Sequence, residues 1–105
     1  MRKRLRNPER QPTHPGAVLR EDVLPALEMT QTDLARRLGV SRLTVSGLVH
    51  EKRALSPDMA MRLARLLDTT PESWLNMQTT LDLWEIEQTP DGWKHIEPIR
   101  RPAVI

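Results

Sequence analysis

Residues 30–50, TQTDLARRLGVSRLTVSGLVH, constrain the fold of this chain more than any other stretch. The spacing predicts two short helices, Gln31 to Leu38 and Arg42 to Val49, joined by Gly39-Val40. Thr30 and Ser41 stand where N-caps belong, because a side-chain oxygen there satisfies backbone N–H groups that lack a partner within the helix. Leu34, Ala35 and Leu38 form one apolar stripe, and Val45, Leu48 and Val49 form another. Gly39 suits the left-handed end of the first helix, because glycine has no Cβ to clash in that conformation. Val40 is the apolar residue inside the turn, and small Ala35 permits close approach of the two backbones.

This pattern leaves Arg42, Leu43, Thr44 and Ser46 on the outward face of the second helix. A helix braced across another, with its N-terminal side chains turned outward, is the arrangement that fits a DNA major groove. Arg42 can donate two parallel hydrogen bonds to guanine O6 and N7, and Leu43 can touch a thymine methyl. Thr44 and Ser46 can reach a base edge or a phosphate. Gln31 opens the first helix, where a side-chain amide and the helix N-terminus together can hold a phosphate. Lys52 and Arg53 lie just past the second helix and suit backbone contact, against the competing reading of ordinary surface charge. For Leu43 the competing reading is partial burial. An amphipathic helical hairpin arising by chance would match the apolar spacing. It would not be expected to supply Gln31, Ala35, Gly39 and Val40 at these offsets with two caps as well.

At 105 residues the chain suits one domain with one modest core. The absence of cysteine excludes a disulfide framework and a thiolate metal site, and fits a cytoplasmic location. No apolar run approaches the roughly 20 residues that span a bilayer. The basic start MRKRLRNPER lacks the apolar region of a secretory signal. Net charge is only +2, but residues 1–20 carry a local +5 and the remainder sums to −3. A basic arm on a nearly neutral body fits a nucleic-acid ligand or an acidic protein partner, or else a solvated tail that aids solubility.

Residues 1–14 are polar and carry Pro8 and Pro12, so they are expected to form a basic flexible arm. A helix is predicted over about 16–27, with Pro25 kinking or ending it because proline lacks a backbone donor. Ser56-Pro57-Asp58 and Thr70-Pro71-Glu72 are strong helix starts: a cap, a proline at the first helical position, then an acid. The first of these helices runs to about Leu67. The second carries Trp74, Leu75, Met77, Gln78, Leu81 and Trp84 at helical spacing and reaches about residue 86, so the helical body spans 15–87. Trp74 and Trp84 share a stripe suited to core packing or a dimer seam. From Gln88 the character changes: TPDG is a turn signal and WKHIEPI alternates weakly. A hairpin pairing LWEIE with WKHIEPI competes with the helix. The helix is preferred, leaving 88–105 as an irregular tail with at most one short strand or hairpin.

His14, His50 and His95 are far apart, with no carboxylate or second histidine at ligand spacing, so no metal or other cofactor is expected. No nucleophile–base set is legible. Asp22, Asp33 and Asp58 read as helix N-terminal charges, and no catalytic residue is assigned.

Residues 14–84, from HPGAVLRE through the helix pair and KRALSP to TPESWLNMQ, resemble the HigA family of addiction-module antitoxins within the Xre/Cro-type helix-turn-helix class. The resemblance implies an all-α, five-helix, lambda-repressor-like domain acting as a homodimer on palindromic double-stranded operator DNA in its own promoter. It also implies a HigB-type toxin partner, a small messenger-RNA endonuclease of the RelE-like fold, and it assigns DNA contact to Gln31, Ser41, Arg42, Leu43, Thr44 and Ser46. Three departures stand out: Leu43 where relatives carry Gln, Gly47 where they carry Glu, and His50-Glu51 where they carry Asn-Gly. The last hands a positive-φ turn to a residue less willing than glycine. Two other readings remain open: a stand-alone Xre-type regulator with no toxin, and an interaction module that sequesters a ribonuclease without binding DNA.

Overall fold

A computed structural model describes residues 10–89, 92–100 and 103. The basic arm as far as residue 9, and Pro90 and Asp91 of the turn signal, lie outside the described residues. The first helical rod has three parts in unbroken succession: α1 (Pro15–Val18), a π-helical stretch (Leu19–Val23) and α2 (Leu24–Leu27). Then come α3 (Gln31–Leu38), α4 (Arg42–Val49), α5 (Pro57–Leu67), α6 (Pro71–Glu87) and a 3₁₀ turn (Gly92–His95). Counting the rod once, the described residues form an all-α domain of five helices, followed by the 3₁₀ turn. None of the described helices is long and apolar enough to cross a membrane.

Each helix begins where a hydroxyl or imidazole accepts an early backbone N–H. Thr30 Oγ1 takes Asp33 N–H, and Ser41 Oγ takes Thr44 N–H, both at 3.1 Å. Ser56 and Thr70 do the same for Met59 and Ser73. His14, buried, accepts from Gly16 N–H through Nδ1 at 2.8 Å. Pro25 does not stop the rod at once, but the rod ends nearby. The π-helical turn before it, in which Leu24 N–H bonds Leu19 C=O, widens the spiral where proline would break an α-helical ladder. The rod ends three residues past Pro25, at Glu28 in the left-handed region.

The core is built from Leu19, Leu34, Leu38, Val45, Leu48, Val49, Leu63 and Trp74, all buried. Trp74 therefore belongs to the core, and its Nε1 donates to Thr69 Oγ1. Ala35, 3% exposed, brings α3 and α4 together, and Val40 packs against the same core. Gln78 is a buried polar residue on α6. Its Oε1 accepts from Leu55 N–H at 2.8 Å while its Nε2 donates to Asp82, which ties the loop after α4 to the last helix. Replacing Gln78 with Leu strands a buried N–H, so urea unfolding should show a loss of about 1–3 kcal/mol.

Among the described residues no strand forms, so the tail takes neither the hairpin nor the single strand. Leu81 and Trp84 continue the inward stripe of α6, which makes helix the better use of LWEIE. Ile96 and Ile99 stand exposed, with no sheet to receive their alternation.

Candidate nucleic-acid interface

The site is the N-terminal half of α4 with the loop that follows it. The frame beneath is tied down at the C-terminal end of α3. At its C-terminus Gly39 adopts φ +72°, and Val40 N–H reaches back to Ala35 C=O. Arg62 of α5, paired with Asp58, donates to the last carbonyl of α3, Leu38 C=O, at 2.7 Å. Buried Val45, Leu48 and Val49 then fix which face of α4 is left outside.

That outer face carries the residues expected of it. Leu43 is 84% exposed, far more than partial burial allows, and Arg42 is exposed with no ion pair among the described residues. Gln31 is half-buried at the start of α3. Ser41 and Thr44 share a hydrogen bond at 2.8 Å, so their hydroxyls hold each other as well as the helix start. Ser46 is half-buried, and His50 folds back so that its Nδ1 sits 2.8 Å from Ser46 C=O and 3.2 Å from Ser46 Oγ. Thr44 and Ser46 are therefore partly engaged within the helix, whereas Arg42 and Leu43 are unencumbered. Lys52 and Arg53 are exposed in the loop. Arg53 lies across α4: a Cβ on Gly47 would sit 3.0 Å from Arg53 Cδ. Gly47 thus leaves room for an arginine stem from the loop to rest on the helix.

The end of α4 is a left-handed cap made without glycine. Lys52 N–H bonds Gly47 C=O at 2.7 Å, Glu51 N–H bonds Leu48 C=O at 3.0 Å, and Glu51 sits at φ +61°. This is the bonding of a Schellman cap, whose left-handed position glycine usually fills. A side chain there costs about 1–2 kcal/mol. His50, at φ −90°, carries none of that strain.

Arg20, from the π-helical stretch of the first rod, closes over this cap. It donates to Val49 C=O at 2.6 Å, and its other terminal nitrogen lies 2.7 Å from Glu21 and 3.1 Å from Glu51. Hydrogen bonds to Glu21 first, then Glu51, hold its guanidinium above the ordinary arginine pKa. Sequence reasoning missed Arg20, because nothing in local spacing announces a partner some thirty residues away. The Asp58–Arg62 pair, at i,i+4 spacing, carried a legible signal.

Residues 19–75 match the family HTH_3, helix-turn-helix. Over 78 residues the chain is 45% identical to an uncharacterised HTH-type transcriptional regulator of Haemophilus influenzae, covering 74% of this chain and 73% of that protein. Among solved structures it is similar to the Pseudomonas aeruginosa antitoxin HigA with the higBA promoter, with TM-score 0.77, 38% identity, and coverage of 86% of this chain and 100% of that one. It is also similar to the antitoxin GraA in complex with its operator, with TM-score 0.76, 42% identity, and coverage of 95% and 99%.

Proposed function

Since the chain belongs to the Xre-type helix-turn-helix family and its structural neighbours are HigA-type antitoxins, we propose that it is an antitoxin that binds its own promoter as a dimer and neutralises a HigB-type messenger-RNA endonuclease. The observation that carries the DNA-binding half is a capped, buried-backed α4 offering at its leading end exposed Leu43 and an Arg42 with no ion pair among the described residues. Arg42 and Leu43 read base edges in this account. Ser41, Thr44 and Ser46 contribute where their hydroxyls can turn outward, and Gln31, Lys52 and Arg53 meet phosphates. Two copies about a twofold axis place their α4 helices about 34–36 Å apart, one turn of the duplex.

Titrating the full chain against a labelled duplex from upstream of its own gene tests this half. Affinity should fall steeply with salt, the log–log slope growing by roughly 0.9 per phosphate contacted. Binding no tighter than to an unrelated duplex would argue against operator recognition. Co-expression with the neighbouring reading frame tests the other half, with a small basic protein expected to co-purify. The regulator of Haemophilus influenzae favours a second reading, a transcriptional regulator with no toxin. Operator binding without any co-purifying partner would select it.

A further inference from the structure

Four helical segments end in a residue with a left-handed backbone: Glu28, Gly39, Glu51 and Asp68. Glycine fills only one of these places. Of the three acidic residues, Glu51 alone has a carboxylate held by a cation among the described residues, and that cation, Arg20, also donates to Val49 C=O. The same guanidinium therefore grips both the last carbonyl of α4 and Glu51, the second residue beyond it. The next two residues are the loop cations Lys52 and Arg53. Arg53 lies on Gly47, one turn back along α4. The first helical rod, which contributes nothing to the exposed face of α4, is thereby fastened to the turn from which both cations project.

We infer that Arg20 and Glu51 form a positioning pair that aims Lys52 and Arg53 at the DNA backbone, with Glu51 standing in a glycine's place because its side-chain oxygen is needed there as an acceptor for Arg20. The inference rests on the DNA-binding reading above. It explains a local cost: the chain accepts strain at Glu51 that glycine would remove, and gains a fixed direction for the loop. Neither residue touches DNA in this account. They act through Lys52 and Arg53, so their effect falls on phosphate contacts and is independent of base sequence.

Stability and affinity should therefore separate on substitution. Glu51→Gly relieves the left-handed strain while freeing the loop. The full-length variant should melt no lower than the wild type. It should bind a fluorescein-labelled duplex from the chain's own upstream region about twofold to fivefold more weakly. An unrelated duplex of equal length should lose the same factor, and the salt slope should become shallower for both. Glu51→Gln, which keeps the length and an acceptor for Arg20, should retain the wild-type slope. Glu51→Gly binding both duplexes as tightly as the wild type, with unchanged slope, overturns the inference. So does a melting temperature that falls together with affinity, which makes the pair a brace of the fold alone. Wild-type protein that binds neither duplex at low salt overturns the DNA-binding reading itself and the inference with it, an outcome distinct from one confined to the variant.

Discussion

Arg42→Ala is expected to weaken binding to the promoter duplex by about 1–3 kcal/mol and to relax the choice of base at one position of each half-site. Arg42 is the first residue of α4, exposed and without an ion pair among the described residues, so its removal leaves nothing unsatisfied in the free protein. Thermal stability should be unchanged within about 0.5 kcal/mol, as for surface substitutions away from special contacts. Anisotropy titrations against a set of duplexes carrying each base in turn read both effects. A uniform loss across all duplexes would reassign Arg42 from base reading to phosphate contact, because only a base contact discriminates among sequences. No loss at all would remove it from the interface.

Gly16→Ala should act on the fold, and severely. An added Cβ would lie 1.8 Å from Leu48 C=O and 2.8 Å from the carbonyl carbon, both backbone atoms of α4. Neither can move without displacing α4 from α1. Buried Leu19 and Pro15 on one side and Val45, Leu48 and Val49 on the other leave no slack to absorb the shift. The expected loss is about 3 kcal/mol, the upper end of what overpacking costs. In a domain of this size that lowers the melting temperature by more than about 10 °C. Circular dichroism melts of the full chain measure it. An unchanged melting temperature would mean that the first rod does not rest on α4 as described.

The two substitutions mark what local sequence does and does not reveal. Caps, apolar stripes and Pro-after-cap signals are short-range, and the helices they predict, from Gln31 to Glu87, are the helices observed. The exposure of Arg42 and Leu43 was legible for the same reason: once Val45, Leu48 and Val49 are assigned inward, a helical period sends these two out. The close seat of Gly16 on Leu48 was not legible, because it depends on how two helices distant in sequence cross. The Arg20 clamp and the resting place of Arg53 on Gly47 are hidden for the same reason. The π-helical stretch before Pro25 is a subtler case. Proline announced a disturbance, but the geometry of its accommodation depends on Leu19 and Leu24 both remaining in the core. The sequence places Thr44 and Ser46 where their hydroxyls can reach a base edge or a phosphate. Those hydroxyls are partly engaged with Ser41 and His50, whereas Arg42 and Leu43 stand exposed.

Dimethyl sulfate footprinting of the full chain on its own upstream DNA tests the central claim most directly, because the reagent reports access to guanine N7 in the major groove, the atom that Arg42 bonds in the proposed reading. The account predicts two protected patches on one face of the duplex, centred about 10 base pairs apart, with protection at one guanine in each patch lost in Arg42→Ala. Saturated binding that leaves every guanine N7 reactive would contradict it.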